Sequence, residues 1–238
     1  MRILILGDSL PFPRPTKGQP LGVTWPSLLK ERLPQSETCL RAHPRFTITD
    51  VLKELGFFTE SLVEFDAIIV QTGIVDCAPR PYPHLIAKLL DVCVSMPTFR
   101  RIERFTHQRL LWLYRQPWVS ERAFADKAER LVQIAFQHNQ RLKVLFIPIA
   151  PPNRTIATSL PGIAAAAKRY NGALKTKVET LSPKFGCHCL NPFNGANPID
   201  VTIEDGHHLS ARGHELIADA LVHALEPLLA TTINKSHS

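Results

Sequence analysis

The sequence predicts an α/β fold, with a parallel sheet covered by helices on both faces, and three observations carry that prediction. The aliphatic runs Ile3-Leu4-Ile5-Leu6, Ile68-Ile69-Val70 and Val144-Leu145-Phe146-Ile147 are uncharged and do not alternate, the pattern of strands buried on both sides. Between them lie segments with apolar residues at helical spacing, and strands alternating with helices imply parallel pairing. A chain of 238 residues with 45% hydrophobic and 21% charged side chains suits one larger globular domain with a substantial core.

The first strand stops at Gly7-Asp8-Ser9, which places a hydroxyl at a strand end. Pro11-Phe12-Pro13-Arg14-Pro15 and Lys17-Gly18-Gln19-Pro20 then form a loop beside Ser9, barred by proline from helix or sheet. Thr24 to Leu33 predicts a helix, with Thr24 as N-cap, Pro26 in the first turn, Leu28, Leu29 and Leu33 on one face, and Pro34 as terminator. Cys39 to Ala42 predicts a second strand and Thr49 to Leu55 a second helix. Phe65 to Gly73 is the next buried strand and delivers the loop Ile74 to Arg80. A helix near Pro83 to Val94 precedes a basic helical section to about Arg141. There Leu110, Leu111, Leu113 and Tyr114, and after Pro117 Ala128, Leu131, Val132, Ala135 and Phe136, keep helical spacing.

Val144 to Ala150 is a strand stopped by Pro151-Pro152-Asn153, and a helix carrying Ala164 to Lys168, Tyr170, Asn171 and Leu174 leads to a last strand, Cys187 to Leu190. Asn191 to Gly206, rich in Pro, Asn and Gly, is a surface loop that delivers Asp205-Gly206-His207-His208. A final helix after Ser210 has Leu216, Ile217, Ala220, Leu221 and Leu225 on its apolar face, and 231–238 reads as a frayed, disordered tail. With no repeat or linker, 1–230 reads as one domain bearing a basic helical insertion at about 81–141.

The formal charge of +7 raises the question of an anionic partner. Most of the excess falls between Thr98 and Lys143, where ten Lys and Arg face four Asp and Glu. A solvated helix face accounts for most of these cations, and no zinc-finger or aromatic RNA-binding motif accompanies them, so no nucleic acid is expected. The insertion leaves room for docking on an anionic partner or surface. The short N-terminal aliphatic run reads as neither signal peptide nor transmembrane segment, so a soluble, cytoplasmic protein is expected. Cys39, Cys77, Cys93, Cys187 and Cys189 are odd in number and scattered, which suits reduced thiols. Cys187-His188-Cys189 on a strand points to opposite faces in turn and lacks a second cluster, so no metal is expected there.

The chemistry turns on residues that strand ends deliver. A serine hydroxyl becomes a nucleophile when a base accepts its proton, and a histidine base works best when a carboxylate fixes its tautomer. Asp205 and His208 lie three residues apart, so one tight turn projects both, and Ser9 stands at the end of the first strand. Plainer readings compete: Gly-Asp-Ser as turn chemistry, Asp205 as a cap for the final helix, and His208 as a surface histidine.

Leu6-Gly7-Asp8-Ser9-Leu10, Gly73-Ile74-Val75-Asp76 after a buried strand, and Asp205-Gly206-His207-His208-Leu209-Ser210 before the last helix together resemble the SGNH, or GDSL, hydrolase superfamily. Trp25-Pro26 with Leu28-Leu29, Tyr170-Asn171 and Gly213-His214 extend the resemblance over almost the whole chain. The Gly-x-Ser-x-Gly elbow of the α/β-hydrolases is absent, since Pro11 takes its last glycine position. The resemblance implies a three-layer α/β/α, flavodoxin-like sandwich around a five-stranded parallel sheet that hydrolyses esters through a covalent acyl-enzyme, with no cofactor or metal. It makes Ser9 the nucleophile and an oxyanion donor through its amide, His208 the general base and then acid, and Asp205 the orienting carboxylate. His207 falls outside the Asp-x-x-His spacing, and Gly73 and Asp76 correspond to the oxyanion-side block.

That block departs from the family. The residue usually found as an oxyanion-donating asparagine is Val75, and the family's second-block glycine finds no counterpart between His43 and Thr47. An oxyanion donor is worth roughly 2.7–4 kcal/mol, so the expectation is a rebuilt hole, with Arg14, Arg80 and a backbone amide near Arg45 as donors. A guanidinium there would also suit an anionic substrate. The expected function is a serine esterase or deacylase removing a short acyl group, such as acetyl, from a carbohydrate or small molecule. Acyl transfer by the same triad and a catalytically degraded glycan- or acyl-binding module are the alternatives.

Overall fold

The computed structural model describes residues 1–17, 19–80 and 116–235. Five strands form one parallel sheet: β1 (Arg2–Gly7), β2 (Glu37–Ala42), β3 (Ala67–Gln71), β4 (Lys143–Ile147) and β5 (Cys187–Cys189), in the spatial order β2-β1-β3-β4-β5. Ile3 to Leu6 and Ala67 to Ile69 are wholly buried, as their uninterrupted aliphatic pattern requires. Each of the Ile and Leu side chains contributes roughly 1.5–3 kcal/mol on burial.

The helices are α1 (Trp25–Arg32), α2 (Ile48–Gly56), α3 (Ile74–Cys77), α4 (Glu121–His138), α5 (Arg154–Ser159), α6 (Ile163–Leu181), α7 (Pro198–Val201) and α8 (Ala211–Lys235). They cover both sides of the sheet, α1 packing on α8, and α4 packing on both α2 and α6. The expected α/β/α architecture and five-stranded sheet are what the chain adopts.

The details differ where local signals are short. α2 starts at Ile48, because Thr47 and Asp50 form a reciprocal capping box. α3 and α7 arise inside segments expected to be loop, and α5 follows the Pro151-Pro152-Asn153 stop; Asn153 and Asn197 side chains cap α5 and α7. The expected insertion at about 81–141 lies mostly outside the described residues; its last part includes α4, which buries Phe124, Ala128, Leu131, Val132 and Ala135 and packs on α2 and α6. Its acidic residues are engaged from α6, Glu121 by Arg169 and Asp126 and Glu129 by Lys177. The expected helix near Pro83 to Val94, the Leu110 to Tyr114 stripe and the cations Arg100 to Arg115 lie outside the described residues. The last helix continues through Pro227 to Lys235, further than the expected tail at 231. No described helix is long and apolar enough to cross a membrane.

This strand order places a switch point between β1 and β3: the chain leaves β1 for β2 on one side and returns to β3 on the other. Loops at the carboxyl ends of these strands diverge there and leave a crevice. Gly7 fits because β1 and β3 approach closely; a Cβ at residue 7 would stand 2.5 Å from the Gln71 carbonyl oxygen. The Asp8 amide donates to that same carbonyl at 3.1 Å, and Ser9 follows at the crevice.

Candidate active site

Ser9 sits on a short, tied turn. Leu10 N–H donates to Asp8 Oδ1 at 2.9 Å, and Phe12 N–H donates to the Ser9 carbonyl at 3.3 Å. The proline-rich loop is folded back on itself, since Arg14 and Gln19 each donate a backbone N–H to the other's carbonyl at 3.0 Å. The Gln19 side-chain amide then donates to the Leu209 carbonyl and fastens this loop to the histidine turn.

The histidine turn is a small closed structure. Ile203 N–H donates to the His208 carbonyl at 2.9 Å, Gly206 N–H to Ile203 at 2.9 Å, and Ser210 N–H to Val201 at 2.9 Å. Gly206 has φ 86° and lies against the β4–α5 loop, where a Cβ would meet Asn153 Oδ1 at 2.5 Å and Ile156 N at 2.6 Å, so glycine is required there. Asn153 N–H donates to the Gly206 carbonyl at 2.9 Å, and its side-chain amide donates to Thr202 Oγ1 and the Ile203 carbonyl at 3.0 and 3.1 Å. Asn153 thus fixes this turn against the end of β4.

Within that frame, Ser9 Oγ lies 3.1 Å from His208 Nε2, and His208 Nδ1 lies 2.8 Å from Asp205 Oδ2. With Nδ1–H donating to the carboxylate, Nε2 presents a lone pair to the serine. Asp205 Oδ1 also accepts from the backbone amides of His208 and His207 at 3.0 and 3.2 Å. Burial opposes ionisation of Asp205, but the hydrogen bonds from the His208 ring and these two amides outweigh it and hold the carboxyl well below the usual range. Asp205 does not cap the final helix; Ser210 Oγ accepts from Gly213 N–H there. His207 stacks beside His208 at 4.0 Å between ring centroids, and burial, then its neighbour's charge, push its pKa down to about 4.

A cavity of about 520 Å³ opens over this group, and its lining includes Ser9, His207 and His208 together with Arg14, Arg45 and Arg80. Arg14 Nη2 donates to His208 Nε2, the lone pair that faces Ser9. The Arg80 guanidinium stacks over the Trp118 ring at 4.4 Å. Arg45 holds φ 67°, in the left-handed region that a non-glycine residue adopts only under local constraint. Val75 lines the cavity wall, and its side chain offers no donor.

Two expected members fall elsewhere. Asp76 is absent from the lining and wholly buried. It accepts from Ile48 N–H at 2.9 Å and from the Thr72 hydroxyl at 3.4 Å, closing the N-terminus of α2 instead of facing the oxyanion side of the cavity. Burial, partly offset by those bonds, raises its pKa to about 7. Gly73, at φ 125°, is the turn residue before α3, and a Cβ there would press on Ile149 at 2.9 Å; it too is outside the lining. Sequence reasoning passed over Asn153, which reads as a residue ending a Pro-Pro stop, and Trp118, which lies beyond the cavity in sequence and marks Arg80 only in three dimensions.

Among the described residues, the one compact His, Cys, Asp or Glu group is Asp205, His207 and His208, whose ligand atoms lie within 4.8 Å of one another. Two of those side chains are already engaged with each other through Nδ1 and Oδ2. On β5, the Cys187 and Cys189 thiols donate to backbone carbonyls, and burial raises both of their pKa values. A separate cavity of about 500 Å³ at the ends of β4 and β5 contains none of the expected site residues.

No protein-family model and no curated protein sequence matches the chain. Its structure resembles that of the lipase/acylhydrolase from Enterococcus faecalis, with TM-score 0.62 and 16% identity over 95% of both chains. A carbohydrate acetylesterase family member from Sinorhizobium meliloti gives TM-score 0.60 and 15% identity over 98% of this chain and 99% of the other. A member of the lipolytic protein G-D-S-L family from Veillonella parvula gives 0.58 and 9% over 93% and 96%. The chain therefore has the fold of the GDSL, or SGNH, hydrolases along nearly its full length.

Proposed function

We propose that this protein is an SGNH-type serine ester hydrolase acting on a short acyl ester, such as an acetyl ester, of a carbohydrate or small molecule. The observation that carries the proposal is the unbroken chain Ser9 Oγ, His208 Nε2, His208 Nδ1 and Asp205 Oδ2, at 3.1 and 2.8 Å, opening on one cavity. Neighbours in fold described as carbohydrate acetylesterases and lipolytic proteins support the ester and carbohydrate parts.

Ser9 Oγ attacks the ester carbonyl carbon while its proton passes to His208 Nε2 and the carbonyl π pair moves to oxygen. Asp205 stabilises the imidazolium through Nδ1–H. Collapse of the tetrahedral intermediate breaks the ester C–O bond, and the leaving alcohol takes the proton from Nε2. Water then attacks the acyl-enzyme with His208 again as base, releasing the acid and restoring Ser9. The oxyanion rests on the Ser9 amide and on Arg80, which stacks on Trp118 just after α3, the helix that carries Val75. A guanidinium there supplies the charge that the valine cannot.

Fluorophosphonate labelling and 4-nitrophenyl acetate hydrolysis test this reading. Both are expected in the parent and lost in Ser9→Ala, the rate by roughly 10⁵-fold or more. No Ser9-dependent adduct together with no turnover would leave a binding module. Arg80→Ala is expected to cost on the order of 100-fold in kcat. Equal rates would remove Arg80 from the oxyanion site. Product analysis with an added acceptor alcohol separates hydrolysis from acyl transfer. Cys39, Cys77, Cys187 and Cys189 are free thiols, which supports a reducing, cytoplasmic setting.

A further inference from the structure

We propose that the ester bound in this cavity carries its own carboxylate, that Arg14 is its receptor, and that its binding draws Arg14 off His208 and frees the base. This rests on the reading of Ser9 as a nucleophile. Arg14 lines the cavity and makes no ion pair among the described residues. Its Nη2 donates to His208 Nε2, and its Nε is buried without a hydrogen-bond partner. A guanidinium withdrawn from water is normally matched by an anion. Nε–H and Nη2–H lie on one edge of the guanidinium, the fork that grips a carboxylate with two parallel bonds. In this structure one tooth rests on the His208 imidazole and the other has no hydrogen-bond partner among the described residues, so the matching partner is a group that arrives with the substrate.

The position of Arg14 also conflicts with catalysis as it stands. One lone pair on Nε2 cannot serve both the Ser9 hydroxyl and an arginine donor. Once Nε2 carries the serine proton, its N–H faces a guanidinium N–H, donor against donor and cation against cation. A substrate carboxylate resolves both problems by pulling the fork away from the ring. The anchoring fits this role, because Gln19 ties the Arg14 loop to Leu209 and leaves the long side chain to move. Arg45 and Arg80 line the same cavity and add positive potential for an anionic ligand.

The test uses 2-, 3- and 4-acetoxybenzoate and their methyl esters, which present the same acetyl ester with and without a carboxylate at three spacings. At least one free acid should exceed its methyl ester in kcat/KM by roughly tenfold or more. Arg14→Ala should bring that ratio to about one while raising kcat on the methyl ester, and Arg14→Lys should restore the ratio only in part. In Ser9→Ala protein, calorimetric binding of the preferred acetoxybenzoate should be lost when Arg14→Ala is added. Equal kcat/KM for acid and methyl ester at all three spacings would overturn the proposal and leave the esterase standing. An equal slowing of both by Arg14→Ala would overturn it by assigning Arg14 to the oxyanion. Arg14-dependent binding with no turnover of any ester would keep the carboxylate receptor and remove the esterase.

Discussion

The turn at Asp205 and the turn at Asp76 are built alike and behave oppositely. Each follows a buried strand or its loop, each carries an aspartate near a glycine of positive φ, and each aspartate accepts a backbone N–H. Asp205 stands behind His208, one-third exposed, and collects three N–H donors, so it stays ionised. Asp76 points inward, has one N–H donor and a distant hydroxyl, and is pushed up to about 7. Asp8, next to the nucleophile, is further along the same path: wholly buried, with Oδ2 lacking a hydrogen-bond partner among the described residues, and raised to about 8 by burial above all. Which way a carboxylate faces at the strand end therefore decides whether it stays ionised or is pushed toward its neutral form.

The same isosteric change at each position should separate them. Asp205→Asn has the largest expected effect. Asn can still accept the two backbone amides through Oδ1, but it turns an NH₂ toward His208 Nδ1 and favours the tautomer with Nε2 protonated. That form cannot take the Ser9 proton, and kcat/KM should fall roughly 10⁴-fold while the circular dichroism spectrum is retained. A loss under tenfold would mean that Asp205 only shapes the turn.

Asp8→Asn should act on stability, with a sign opposite to that of a salt-bridged aspartate. Below about pH 4 the group is protonated in both folded and unfolded chains. Above it the unfolded chain ionises, while the folded chain keeps its proton until about pH 8, against an ordinary value of 3.8. Folding is thus penalised increasingly as pH rises through this window, by up to ~1.4 kcal/mol per pH unit. Urea unfolding at pH 5 and pH 7 should show Asp8→Asn gaining on the parent with pH. A constant difference would place the ionised form in the folded state.

The sheet and the serine, histidine and aspartate were legible because their signals are local: aliphatic runs, a Gly-Asp-Ser stop and an Asp-x-x-His spacing. Asp76 was not, because its meaning depends on Ile48, 28 residues away, a contact that no spacing rule reports. For the same reason sequence could place Arg14, Arg45 and Arg80 near strand ends, but not show that they line one cavity, that Trp118 holds Arg80, or that Arg14 rests on His208. Short helices such as α5 and α7 escaped because an asparagine cap and a single turn carry too little periodicity to read.

Asp76→Asn should have the smallest effect of the three, and it tests the structural side of the comparison. The asparagine oxygen can accept from Ile48 N–H, and its amide can donate to Thr72 Oγ1, which the partly protonated acid already faces at 3.4 Å. Because its folded-state value of about 7 lies above the ordinary 3.8, the neutral isostere should, as for Asp8, gain on the parent as pH rises, over a window about one unit shorter, with kcat within a few-fold. Asp76→Ala removes the acceptor altogether and strands a buried N–H at the start of α2, which should cost roughly 1–3 kcal/mol relative to Asp76→Asn. That corresponds to a fall in Tm of about 2–4 °C for each kcal/mol in a chain of this size, with kcat still retained. If Asp76→Asn instead abolished turnover at unchanged Tm, Asp76 would belong with Asp205 on the chemical side, and the inward-facing turn would be part of the site.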